Sequence, residues 1–371
     1  MIQRTPLDVN RLSAAAQRAL GPGPGRMMAA RGLLPLAPAD QVAVLYQLSL
    51  DPDAKIADSA KKSAAELPDS ILAGALNIQT LDPRVLDFFA RIAADKPVAF
   101  DSFVQNTAVA DETIAMLSSK VGAREIDRIA ANEQRLLRHP QIIGAMYLNK
   151  HARMSTVERA IELAVRNNIR VPGLIAWDEI ARSLQGGQPS SSAEVDAVFA
   201  IAADAVEGDD ALLTNGDAEQ ARDHDELEER ALEKAKEIPE GLSVPAKIRL
   251  ATLGNAFARG TLIRDPLRMV QMAAIKSPGV TEFEAARYAA NQSLSDDVIR
   301  FIAQKREWTK LYGTKYALCR NPKTPVTDAM RLMPFLREKD LTSLTKSKGV
   351  PSAVVAQARK LMSQRRGGDK K

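Results

Sequence analysis

Apolar residues fall at helical spacing in short bursts along this chain, and each burst is introduced by similar punctuation. Val85, Phe88, Phe89 and Ile92 share one helical face, as do Val157, Ala160, Ile161 and Ala164; this is the spacing of an amphipathic helix. No convincing alternating strand is present, so the pattern predicts an all-α protein. The punctuation is an Asn, Asp or Ser, often followed by Pro, with a Thr, Ser, Asp or Pro within about five residues. Its clearest copy is Asn321-Pro322-Lys323-Thr324-Pro325, and looser copies begin at Asp51, Asp82, Asn106, Asn149, Asp265, Ser277 and Asn291.

Helix starts carry explicit chemistry. Asp51-Pro52, Asp82-Pro83 and Asp265-Pro266 each offer a capping carboxylate followed by Pro at the first helical position. Ser155-Thr156-Val157-Glu158 and Thr281-Glu282-Phe283-Glu284 have the capping-box pattern. Asp296 and Asp297 after Ser295 place acids in a first turn, where the helix dipole favours them; Val298, Phe301 and Ile302 then face inward. Another helix starts at Thr324-Pro325, with Met330 and Met333 inward. Asn77 to Asn106 is about 29 residues, Asn106 to Asn132 26, Asn132 to Asn149 17, and Asn291 to Asn321 30. A hairpin of two short helices needs roughly this many residues, with the 17-residue step read as a half unit, and such self-similarity marks a stacked array.

Four regions follow. Residues 1–40 are expected to hold a helix from Leu7 to Leu20 and a hinge at Gly21-Pro22-Gly23-Pro24-Gly25, which matches no phosphate-loop spacing. Residues 41–183 read as N-terminal helical repeats. Residues 184–240 read as an acidic, partly disordered linker: Gln185 to Ser192 breaks the pattern, a short helix is expected over Val195 to Ala205, and Glu207 to Glu240 carries thirteen acids against four bases, a composition that resists burial. Residues 241–371 read as basic C-terminal repeats ending in a frayed tail. The net charge of +5 hides this split, because everything outside Glu207–Glu240 sums to about +14.

Other features of the composition narrow the picture. Aromatics are only 4% of the 371 residues, so the core must be built from Leu, Ile, Val, Ala and Met, which suits thin helix-on-helix packing. The single cysteine, Cys319, excludes an internal disulfide and is expected as a small buried hydrophobe beside Leu318. No apolar run reaches the length of about 18 residues that spans a membrane. Arg4, Asp8 and Arg11 interrupt any secretory apolar segment at the N-terminus, so the cytoplasm is the expected location.

The Asn-Pro-x-Thr-Pro punctuation with short paired helices resembles HEAT-like arrays and the leucine-rich repeat variant group. The stretch from Lys247-Ile248-Arg249-Leu250 through Arg306-Glu307-Trp308 to Asn321-Pro322-Lys323-Thr324-Pro325 also resembles a group of uncharacterised bacterial helical-repeat proteins. The resemblance covers most of the chain except the N-terminal hinge and the acidic segment. It implies an α-solenoid of short helical hairpins in two halves joined by the acidic linker, and it transfers no catalytic residue. HEAT-like arrays include DNA-binding members, some of them glycosylases.

Candidate chemistry is sparse. The three histidines, His139, His151 and His224, have no His or Cys at metal-ligand spacing and support no Ser-His-Asp or Cys-His arrangement. No catalytic, cofactor or metal site is therefore expected, and the protein is not expected to be an enzyme. The most suggestive constellation holds Arg300, Lys305, Arg306, Lys310, Lys315, Arg320 and Lys323, opposed only by Glu307, with Trp308, Tyr312 and Tyr316 recurring every four residues. On a continuous helix these rings would form one stripe flanked by cations, a surface able to hold a protein partner or nucleic acid. The expected function is a protein–protein interaction scaffold, with nucleic-acid binding through the basic C-terminal half as the alternative. In the scaffold reading the acidic linker folds back on the basic half and blocks it.

Overall fold

A computed structural model describes residues 4–174, 177–186, 196, 242–347 and 349–368. Among these residues all regular structure is helical, and no strand occurs. The chain divides into two compact units, Met1–Leu184 and Gln185–Lys371. Apart from residues 184–186 and 196, the acidic linker lies outside the described residues, so the expectations placed on it do too.

The first unit contains α1 (Ala14–Leu20), α2 (Pro24–Ala30), α3 (Pro38–Leu48), α4 (Ala54–Glu66), α5 (Asp69–Leu76), α6 (Pro83–Ala94) and α7 (Pro97–Gln105). It continues with α8 (Asp111–Ser118), α9 (Ala123–Ala130), α10 (Glu133–Arg138), α11 (Gln141–Leu148), α12 (Met154–Arg166) and α13 (Trp177–Gly186). Packing follows chain order: α3 lies on α5 and α5 on α7, while α4 lies on α6 and α6 on α8. The second unit contains α14 (Val244–Leu253), α15 (Ala256–Leu262), α16 (Arg268–Lys276), α17 (Glu282–Ala290) and α18 (Asp296–Gln304). After these come α19 (Tyr312–Arg320), α20 (Val326–Leu332), α21 (Glu338–Lys346) and α22 (Ser352–Gly368). Here α14 packs on α16, α16 on α18, α17 on α19, and α20 on α22.

The recurrent Asn/Asp/Ser has one physical identity. At all eight positions its side-chain oxygen accepts from the backbone N–H two residues on: Asp51 from Asp53, Asp82 from Arg84, Asn106 from Ala108 and Asn149 from His151. The same bond joins Asp265 to Leu267, Ser277 to Gly279, Asn291 to Ser293 and Asn321 to Lys323. This is the Asx turn, or its Ser equivalent, which reverses the chain locally without help from the rest of the fold. The motif therefore marks the turn after a helix more often than the cap of the next. Asn106, Asn149, Ser277, Asn291 and Asn321 are C-caps of α7, α11, α16, α17 and α19.

Three of these asparagines also join neighbouring layers. The Asn106 amide donates to Leu76 O at 2.7 Å and Ile78 O at 3.0 Å. The Asn149 amide donates to Ser118 O at 2.9 Å and Val121 O at 2.8 Å. The Asn321 amide donates to Ala289 O at 2.8 Å and Asn291 O at 3.1 Å. Each satisfies carbonyls left over at the end of an earlier helix, and each is buried. The opposite ends are tied in the same way: Asp69 accepts from Val98 N and Ala99 N, so the first residue of α5 caps α7. These bonds and their counterparts join residues 28–32 apart. A second row pairs Thr113 Oγ1 with Asp87 and Thr156 Oγ1 with Asp127.

Several expected helix boundaries move. Pro24 and Gly25 lie in the first turn of α2, where a hinge was expected: Gly23 takes a φ of 121° as N-cap, and Arg26 bridges Leu20 O and Asp51. Residues 7–20 are split, because Ser13 caps α1 after a separate 3-10 turn, Val9–Arg11. Helix α4 is capped by Asp53, since the Asp51 carboxylate is held by Arg26. Helix α16 starts after Leu267, with Asp265 committed to Lys247 and the Leu267 N–H. Helix α12 starts at Met154, ahead of the expected Ser155 cap. Thr281 does cap α17, but Glu284 turns into the core instead of reaching back. Asp82-Pro83 caps α6, and Asp296 and Asp297 open α18, both as read from the sequence.

Alanine supplies much of the close packing. Ala57, Ala60 and Ala64 form the buried face of α4, and Ala90, Ala93 and Ala99 are fully buried. Two elements approach closely at Gly144 of α11, where an added Cβ would lie 2.5 Å from Pro172 O.

Candidate functional site

The segment from Arg300 to Lys323 forms no single helix. α18 ends at Gln304, a 3-10 turn covers Trp308–Lys310, Leu311 is extended at ψ 131°, and α19 begins at Tyr312. The expected aromatic stripe is consequently divided. Trp308 is only 3% exposed; it meets Phe301 edge-on at 5.9 Å and is covered by the Lys305 ammonium at 4.0 Å. Tyr312 and Tyr316 do share a face of α19, but that face is turned toward α21. The Tyr312 hydroxyl donates to Asp340 and accepts from Arg337 N–H at 2.9 Å. Burial and the Asp340 bond push its pKa up. The Tyr316 hydroxyl donates to Ser343 Oγ at 3.4 Å.

The cations are divided as well. Lys315 donates to Lys310 O at 3.2 Å, and Lys323 donates to Ser293 O at 3.3 Å and Leu294 O at 2.5 Å. With Lys305 seated on Trp308, three of the seven are engaged with their own unit. Arg300, Arg306, Lys310 and Arg320 are exposed and form no ion pair with a described residue.

Two features near this segment escaped sequence reading. Phe335, in the 3-10 turn Met333–Phe335 between α20 and α21, is 63% exposed. Arg365 of α22 donates to Leu336 O at 2.8 Å and Pro334 O at 2.6 Å, gripping that turn on both sides of the ring. The available signal was an aromatic directly after Pro334.

The first unit offers a different surface. Asp101, Val104 and Gln105 of α7, Arg128 of α9, and Ala131, Asn132, Glu133 and Gln134 line an open cleft of about 470 Å³. Its walls mix amide, charged and small apolar groups. Beside it, Asp111 receives two 2.7 Å bonds from Arg138 and lies 3.3 Å from Arg135 Nε. The Arg138 hydrogen bonds hold the Asp111 carboxyl below its ordinary pKa.

Buried ionisable groups in the second unit pair with one another. Arg259 grips Glu284 through Nε at 3.0 Å and Nη2 at 2.9 Å, and donates further to Gly254 O and Gly279 O. Tyr288 donates to the same carboxylate at 2.6 Å, and burial next to Glu284 drives its pKa well up. Cys319 is buried, points its thiol at Ala329 O at 3.5 Å, and has its pKa pushed up to about 12 by desolvation. Among the described residues no group of three or more His, Cys, Asp or Glu is placed to hold a metal ion, and no helix is long and apolar enough to cross a membrane. His224 lies outside the described residues.

No protein-family model, curated protein or solved structure matches this chain.

Proposed function

We propose that each unit is a HEAT-like α-solenoid of short helical hairpins, and that the protein is a protein-interaction scaffold without reaction chemistry of its own. The observation that carries this reading is the register of the interhelical hydrogen bonds. Side chains repeatedly reach backbone groups 28–32 residues away along the chain, so each layer is bonded to its sequential neighbour. Stacks built this way present long surfaces to partners. The cleft on α7, α9 and α10 is the docking groove of this reading. Gln105 and Gln134 stand 29 residues apart on its rim, and such amides can pair with the backbone of a bound segment.

The test is affinity capture with the tagged full chain, with and without nuclease, beside a variant carrying Gln105→Lys and Gln134→Lys. A protein retained after nuclease and lost from the variant supports the scaffold. Capture abolished by nuclease, or equal for both chains, removes it.

A further inference from the structure

We propose that the turn bearing Phe335 is a binding site for single-stranded nucleic acid, with a base stacked on the ring and phosphates held by the cations around it. Phe335 exposes 63% of its surface on a turn whose two flanking carbonyls are clamped by Arg365. The ring is therefore presented on a fixed support. The Lys315 ammonium sits 5.2 Å from the ring centroid and bonds the backbone carbonyl of Lys310, a residue that is itself exposed. Two residues beyond the ring, the Arg337 guanidinium lies 4.6 Å from the Tyr312 ring centroid. One exposed aromatic ring with the Lys315 ammonium against it, in a strongly basic part of the chain, is the combination that sequence-tolerant single-strand binding uses: stacking on a ring and charge along a backbone.

The surrounding charge favours this occupant. Residues 241–371, which carry this turn, hold 25 Lys and Arg against 10 Asp and Glu. Five of those carboxylates are engaged within the unit: Asp265 by Lys247, Glu284 by Arg259, Asp297 by Arg268, Asp328 by Arg331 and Asp340 by Tyr312. An acidic peptide would satisfy the cations yet leave the ring uncovered, whereas a nucleotide has a planar face for it. The proposal does not depend on the protein-docking reading of the first unit.

The experiment is fluorescence anisotropy of the full chain with a labelled oligothymidylate, a duplex of the same length, and a polyglutamate peptide. Salt is stepped upward from about 50 mM, because phosphate contacts weaken steeply with ionic strength. The single strand should bind tightest. Phe335→Ala should weaken it about tenfold, and Phe335→Trp should restore it, as expected for one stacked base. Lys315→Gln combined with Arg337→Gln should flatten the logarithmic salt slope by about one unit or more. Because Phe335 is exposed, its variants are expected to fold, and far-UV circular dichroism checks this. Polyglutamate binding as tightly as the oligonucleotide would assign the site to acidic peptides and overturn the proposal. So would a well-folded Phe335→Ala chain with unchanged affinity, or no binding at the lowest salt.

Discussion

Asn106 offers the sharpest test of how the layers are held together. Its side chain is fully buried and makes three hydrogen bonds, two from its amide to Leu76 O and Ile78 O and one to its oxygen from Ala108 N–H. Asn106→Ala removes all three partners at once and leaves two carbonyls and an N–H without the groups that satisfied them. A buried group left unpaired costs about 1–3 kcal/mol, partly recovered where water or small shifts re-satisfy it; the three together should destabilise the first unit by about 2–4 kcal/mol. Asn106→Asp is the more informative change. It keeps the shape and the bond from Ala108 but sets carboxylate oxygens against two carbonyl oxygens, so at neutral pH it should be at least as damaging as Ala. Protonation supplies one O–H donor, so the Asp variant should recover relative to the Ala variant as pH falls into the carboxylate range. Urea unfolding followed by circular dichroism measures both costs, and native-state hydrogen exchange at Asn77 and Ile78 localises them. An Ala variant within about 0.5 kcal/mol of the parent chain, the usual scatter of a surface substitution, would refute the ladder argument. An Asp variant as stable as the parent at neutral pH would refute it equally.

Three further outcomes follow from particular contacts. Gly144→Ala should destabilise the first unit by about 2 kcal/mol or more in urea unfolding, because the new Cβ meets backbone at Pro172 O and not a movable side chain. Asp111 has a folded-state pKa below its ordinary 3.8, so its contribution is present above that value and lost as pH falls toward the depressed one; the stability gap between the parent chain and Asp111→Asn should be wide at neutral pH and close on acidification. Cys319, with its pKa pushed up to about 12, should react with an aromatic disulfide reagent at pH 8 only on the timescale of unfolding, and fast labelling of the native chain would contradict its burial.

Helical content and the positions of turns were legible in the sequence because both rest on local chemistry. Apolar spacing reports a helix from a dozen residues, and the Asx turn needs only a side-chain oxygen and the N–H two residues on. All eight copies of the motif form that bond. What each side chain does beyond its turn was hidden, since that depends on what the neighbouring layer presents. Asp51 and Asp265 sit beside Arg26 and Lys247 and are taken up by them. The aromatic stripe failed for a related reason. Its spacing assumed an unbroken helix through Leu311, but the chain there is extended, which tucks Trp308 inward while Tyr312 and Tyr316 turn toward α21. Phe335 gave no periodic signal because it stands alone on a turn.

The uneven spacing of the asparagines has its explanation in Arg135. Asn132 interrupts the interval as the N-cap of α10 and has no interlayer role of the Asn106 kind. Twenty-nine residues after Asn106 the chain places Arg135, whose Nη1 and Nη2 donate to Val104 O and Asn106 O, both at 2.9 Å. A guanidinium thus does for α7 what the Asn106 amide does for α5, and the period is kept while the residue type changes. Asn149, the apparent half step, belongs to the other row of helices, where α11 is tied to α8. If this is right, Arg135 is held for its forked donors and not for charge alone. Arg135 is 3% exposed, with Asp111 Oδ1 3.3 Å from its Nε. Arg135→Lys keeps the charge, but one ammonium cannot span two carbonyls and the carboxylate at guanidinium geometry. The loss should be about 2–4 kcal/mol, the range for charge-assisted bonds broken at a buried site. Urea unfolding of the full chain reads it directly, with Arg166→Lys on an exposed pair as the control. If Arg135→Lys proves as mild as the control, the position requires only a positive charge, and the continuous register inferred through α10 is wrong.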